Sequence, residues 1–473
     1  MGDCRRWLGI ALLCCASINC SFQRVPDSSG DDGGDDGGPL PDAAPCPALG
    51  AECIDDTLRE CQTVGQLPVD TACAWGCLAQ GGPAHCARLD PTGTVVTEAD
   101  LAPSPSLLDT TKVLTAGTIG TINTDDGSIS SNVRVAGTGI QNGIDYEVRM
   151  FDAGTAGMRS VAVFRFGKLA LTGDWVVRGS HAIAIVSLGD VTIQGRLDLR
   201  GDCAGTNAGP GGFLGGASNA DAPGPGGGKK GVQPVATNDS SGGGGGGGGD
   251  KGGDGGRANT SPATRPAGGT IFGDAAITLL VGGFGGGGGG SGGAGGGGGG
   301  ALHLVTNGKV TLRSDAGVVP SGINAGGCGG DRGSNDAGGG GGAGGAVLIE
   351  AVSVELDGAR LAVNGGGGGG GLGNGNPGNG ADGALSLMPA AGGAGGIGGA
   401  SGGDGGAAAG TMSSRAGETG KDADNAGGGG GAVGRIRINT RTTTGYTPKN
   451  GALVSPTLEE TGTTSTKDLA KIQ

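Results

Sequence analysis

The chain has 473 residues, of which 119 are glycine, several times the ~7% usual in globular proteins. Aromatics make up 3%, and 31 Lys and Arg face 44 Asp and Glu for a net charge of −13. The acidic balance excludes a nucleic-acid partner held by phosphate contacts. The glycines follow no Gly-X-Y period, which excludes collagen, and so few bulky side chains suit thin β layers better than a thick core.

The N-terminus reads as an export signal. Arg5 and Arg6 precede an apolar run from Trp7 to Ile18, too short to cross a bilayer and of the length of a signal h-region. Ser17-Ile18-Asn19-Cys20 resembles a bacterial lipobox, although Ser17 and Asn19 depart from its preferred residues. Cys15 is a second candidate, and secretion without a lipid is the alternative. We expect residues 1–19 to be a signal peptide and Cys20 to be the lipidated residue. Residues 20–45 contain Asp31-Asp32-Gly33-Gly34-Asp35-Asp36-Gly37-Gly38, which offers nothing to bury and repels itself. It reads as a disordered tether between a membrane and a folded body.

Cys46, Cys53, Cys61, Cys73, Cys77 and Cys86 fall in the next short segment, 46–88. In an exported chain an even set of closely spaced cysteines predicts disulfides stapling a small module, with 15 pairings open. Zinc is the weaker reading, since only Cys73 and Cys77 form a close pair. Trp75 is expected to lie on a disulfide.

Residues 90–180 alternate apolar and polar side chains, as in Tyr146-Glu147-Val148-Arg149-Met150, and predict strands. From 181 to 440 a unit of two or three short strands recurs. Its copies begin near His181, Ala301, Ala346 and, truncated, Val433. Recurring short strands predict a solenoid in which each coil covers the next. Glycine tracts interrupt the copies at 242–249, 285–290, 295–300, 338–342, 365–371 and 427–431. Such tracts are either flexible linkers or extended helices of three residues per turn that bond side by side. Their direct abutment on strands favours order. Cys203 and Cys328 end two copies and are expected to pair across stacked coils. Residues 441–473 read as a C-terminal tail. The expected fold is therefore all-β: a parallel β-helix-like solenoid with polyglycine insertions, preceded by a small disulfide-rich module.

Phe164-Arg165-Phe166, Asp190-Val191-Thr192-Ile193, Gly209-Pro210-Gly211-Gly212-Phe213-Leu214-Gly215-Gly216, Leu280-Val281-Gly282-Gly283, the Gly344–Glu350 stretch and Gly434-Arg435-Ile436-Arg437-Ile438-Asn439 resemble uncharacterised glycine-rich lipoproteins of myxobacteria and their relatives. The resemblance covers residues 90–473. It implies an exported, anchored protein and no particular activity.

Catalytic signatures are sparse. Gly-x-Gly-x-x-Gly windows occur by chance, without a βαβ context or a P-loop. His85, His181 and His303 are scattered, and no nucleophile elbow is present. His181 and His303 begin equivalent strands, which suggests outward or turn positions. Asp198, Asp202, Asp274 and Glu350 lie near strands and are the candidates for a polysaccharide-active site, although solvated turn positions are the simpler reading. The Asp-Gly segments 250–256 and 402–406 resemble calcium-binding nonapeptide rolls but lack the apolar residue and the tandem array. The expectation is a lipid-anchored cell-surface structural or adhesive protein of the outer membrane, with no catalytic residue, metal or cofactor. Its partners would be the membrane, through the N-terminal lipid, and a cell-surface polysaccharide or matrix. The alternatives are a carbohydrate-binding or polysaccharide-active protein, and a periplasmic or secreted location.

Overall fold

The computed structural model describes residues 44–79, 82–104, 106–107, 111–130, 132–233, 239–259, 264–407, 416–458 and 464–473. The expected signal peptide, the lipidation residue Cys20 and nearly all of the tether lie outside the described residues.

The cysteine-rich segment is too small to bury a core and is held by crosslinks instead. Strands β1 (Gly50–Ile54), β2 (Thr57–Cys61) and β3 (Val69–Ala72) form an antiparallel sheet, and β4 (Cys77–Leu78) pairs with β5 (His85–Cys86). The disulfides are Cys46–Cys61, Cys53–Cys77 and Cys73–Cys86. Trp75 is buried, and its Nε1 donates to Asn307 Oδ1 of the body at 3.1 Å.

The body begins with β6 (Thr111–Thr115), β7 (Gly120–Asn123), β8 (Gly139–Gln141), β9 (Ile144–Asp152), β10 (Met158–Phe166) and β11 (Lys168–Arg178). The recurring units supply β12 (Ala182–Ser187), β13 (Val191–Asp198), β14 (Ala301–Thr306), β15 (Lys309–Arg313), β16 (Gly322–Asn324), β17 (Ala346–Ala351), β18 (Ser353–Asp357), β19 (Arg360–Ala362) and β20 (Arg435–Thr440). The presumed tail is structured: β21 (Tyr446–Lys449), β22 (Leu453–Ser455) and β23 (Ser465–Leu469) complete the sheets.

One sheet has eight strands in the order β23-β20-β17-β14-β12-β10-β9-β8, and the other has ten. In the second, β21-β18-β15-β13-β16-β19-β22 run as a path, while β11 pairs with β13 and with β6 and β7. Between the two sheets lies an apolar layer of Phe164, Ile183, Leu302, Val347 and Ile436 from one side and Leu171, Ile193, Leu312 and Leu356 from the other. A second apolar cluster covers the far side of the eight-stranded sheet. There Leu89, Val96 and Leu101 join Phe213 and Phe284 from the glycine-rich segments.

The expected solenoid is corrected by this topology. Strand makes up 33% and helix 2%, in parallel and mixed sheets with no closed barrel. Strand β9 runs antiparallel to both β8 and β10 and breaks any uniform coil. In a solenoid each repeat touches only its neighbours. Here the glycine tracts bond to tracts far away in sequence and form a layer of their own.

Segment 242–249 shows how. Gly242 N–H donates to Gly256 O, Gly243 to Gly338, Gly244 to Lys229, Gly245 to Gly253, Gly246 to Gly341 and Gly247 to Gly226. The same three neighbouring segments recur every third residue, as an extended helix of three residues per turn requires. Carbonyls of 241–248 accept from three further segments, through Gly287 and Gly290, through Gly429 and Ala432, and through Gly269 and Phe272. Six neighbours around one chain is hexagonal packing. It leaves no room for a side chain: a Cβ on Gly243 would sit 2.0 Å from Gly287 O, and one on Gly340 2.1 Å from Gly244 O. The tracts are thus the inner rods of an ordered bundle. Outer rods carry a side chain at every third position, as in Lys251, Asp254 and Arg257, all exposed.

Candidate functional site

The strands orient the molecule. β14 follows directly on the inner rod 295–300, and β20 on the rod 427–434. At the other ends of these strands lies the six-cysteine module. Asn307 receives Trp75, and Arg441 pairs with Asp56 and donates to Ala74 O at 3.3 Å. The bundle and the module therefore occupy opposite ends of the same strands.

A cleft of about 630 Å³ opens where the body meets the bundle. Asp125, Arg159, Arg178, Ser180, Asp202 and Asn207 supply its polar groups. Most of these are already engaged. Asp125 Oδ1 accepts from Ser180 N and Oγ, both at 2.7 Å. Ala204 N–H and Asn207 Nδ2 bond to Asp202 and hold its carboxyl below the ordinary range. Arg159 lies 4.3 Å over the Phe213 ring and donates to Gly211 O and Gly212 O.

Beside this cleft Ser160 Oγ and His181 Nδ1 are 2.5 Å apart, and His181 Nε2 is 3.8 Å from Asp125 Oδ1. The set has the composition of a Ser-His-Asp triad but not its geometry. A separation of 3.8 Å is beyond a hydrogen bond, and that oxygen already accepts two others. Ser160 and His181 each stand one residue before the paired Val161 and Ala182, so their contact is that of cross-strand neighbours.

Glu350 and His303 were expected to face outward, yet they are 0% and 3% exposed. His303 Nε2 lies 2.7 Å from Glu350 Oε2, Asn439 Nδ2 donates to Glu350 at 2.9 Å, and Thr92 donates through N and Oγ1 at 2.9 and 2.7 Å. Burial pushes the Glu350 carboxyl up, but these partners outweigh it and hold the pKa at about 2. The cluster pins the segment that follows the module onto the eight-stranded sheet. Its chemistry is that of a closed polar network without a cleft. The one signal in sequence was a lone carboxylate ending the apolar run Ala346–Ile349.

Asp198 is also buried and forks with Arg200, while Asp274 accepts from Thr278. His85 is exposed, with Nδ1 3.0 Å from Pro83 O. The four carboxylates of the proposed polysaccharide-active set thus serve separate local contacts. Asp250, Asp254 and Asp404 each accept a backbone N–H, from Lys251, Gly268 and Gly392. Among the described residues, Cys203, Cys328 and Asp382 are close enough to share an ion, within 4.8 Å. The two sulfurs are instead joined to each other, with Cα atoms 5.2 Å apart. Comparison with known protein families, curated proteins and solved structures finds no match.

Proposed function

We propose that this chain is a lipid-anchored, glycine-rich surface protein that displays a rigid bundle away from the membrane, in a structural or adhesive role without catalysis. The observation that carries the reading is polar arrangement. The tether leads into the six-cysteine module, and the module sits at the end of β14 and β20 opposite the bundle. Anchoring at Cys20 would direct the bundle outward, in keeping with the resemblance to exported glycine-rich lipoproteins. Four disulfides suit an oxidising compartment. An engaged cleft and a closed Glu350 network suit a scaffold better than an enzyme.

The experiment is mass spectrometry of the mature N-terminus. A diacylated Cys20 is the expected result. An unmodified terminus elsewhere overturns the anchoring.

A further inference from the structure

A second cleft, about 460 Å³, lies on the flank of the bundle, across the 201–208 loop from the first. Thr206 lines it, while the next residue, Asn207, lines the larger cleft. Its other polar groups are Ser218, Asp331, Arg332, Ser334 and Asn379. The rods beneath are fixed. Asp331 N–H donates to Ala294 O at 2.8 Å, Gly339 N–H donates to Asp331 O at 2.9 Å, and Arg332 N–H donates to Asn379 Oδ1 at 3.0 Å. The Cys203–Cys328 bond ties the loop to the rod that carries Asp331.

The unusual feature is what these side chains lack. Several buried or part-buried carboxylates of the body are paired with cations: Asp100 with Arg149, Asp145 with Arg165, Asp174 with Arg196, Glu355 with Lys309 and Lys449. Asp331 is part-buried and its carboxylate accepts no hydrogen bond from any described residue. The Arg332 guanidinium and Asn379 Nδ2 likewise make no side-chain hydrogen bond among the described residues, although the Arg332 charge acts on the Asp331 carboxyl. Asp331 is half-buried while Arg332 and Asn379 are exposed, so the cleft offers one acceptor group beside two donors to a polar ligand. Burial raises the Asp331 carboxyl above its usual range.

We propose that this cleft binds a neutral polysaccharide, with the Asp331 carboxylate accepting from adjacent sugar hydroxyls while Arg332 and Asn379 donate to others. A carboxylate and a guanidinium side by side give no net field for an ion. Two acceptor oxygens and several donors match the alternating hydroxyls of a hexose chain. The net charge of −13 disfavours polyanionic glycans. The inference rests on the adhesive form of the surface reading and names where adhesion occurs.

The test uses the full mature chain in a polyoxyethylene detergent, which carries no sugar headgroup. Binding of maltohexaose, cellohexaose, chitohexaose and a galacturonate hexamer is measured by calorimetry. At least one neutral hexasaccharide is expected to bind, and more tightly than galacturonate. Asp331→Asn should weaken it about tenfold or more, as for loss of a charge-assisted bond. Asn379→Ala should weaken it less, and Ser218→Trp should block the cleft. Asp202→Asn, in the other cleft, should leave it unchanged. Binding of a neutral sugar that all the cleft variants retain within twofold overturns the site and leaves adhesion standing. No binding to any neutral hexasaccharide overturns the site too, while anchoring is decided independently at Cys20.

Discussion

Glu350 is the residue whose ionisation most plainly supports the fold. Its pKa of about 2 in the folded chain lies below the ordinary 4.5, so folding favours the charged form. That contribution is fully present above pH 4.5 and is lost as pH falls toward 2. Its size is about 3 kcal/mol. We predict that Glu350→Gln lowers unfolding stability by about this amount at neutral pH, read from urea titrations. The gap to the parent should close between pH 4.5 and 2, and a gap independent of pH would contradict the assignment. Glycine positions divide just as sharply. Gly340 faces Gly244 O on one side, whereas Lys251 points to solvent on an outer rod. Gly340→Ala should cost about 3 kcal/mol through forced separation of rods, while Lys251→Ala should stay within about 0.5 kcal/mol. Equal effects in thermal melts would mean that the rods are not packed as described.

At the scale of elements, the Cys203–Cys328 bond joins the loop after β13 to the rod after β16, closing a loop with a sequence separation of 125. By chain entropy its removal should cost about 4–5 kcal/mol. Urea unfolding of Cys203→Ser/Cys328→Ser tests this, and a loss below about 1 kcal/mol would mean that the bundle holds the loop unaided. These elements also show what a sequence displays and what it hides. Strands such as Ala346–Ala351 announce themselves by branched apolar residues, and the copies near His181, Ala301, Ala346 and Val433 do lie side by side as β12, β14, β17 and β20. The bundle was half visible. Tracts of pure glycine mark rods with six neighbours, and X-Gly-Gly stretches mark rods at the rim. Which rod meets which is set by backbone hydrogen bonds that leave no side-chain signature, so 242–249 gives no hint of 338–341 or 427–430. The solenoid expectation failed there, because recurring strands were legible and the contacts among the glycines were not. The Asp331 cleft was hidden for the same reason. Asp331 and Asn379 lie 48 positions apart on neighbouring rods, and no motif links them.

The described residues read as a stack: a crosslinked module, then a two-sheet body, then a bundle held by backbone bonds instead of an apolar core. Two liabilities are avoided by this construction. Free thiols are absent from residues 46–473, and the glycine segments are bonded on all sides where they are innermost. The central claim is that the bundle faces outward from the cell, and it can be measured directly. Intact cells are treated with a membrane-impermeant amine reagent, and labelled lysines are mapped by mass spectrometry. The account predicts that Lys229, Lys230 and Lys251 of the bundle, all exposed, are modified without breaking the cells. Labelling of these lysines only after the outer membrane is disrupted would contradict it.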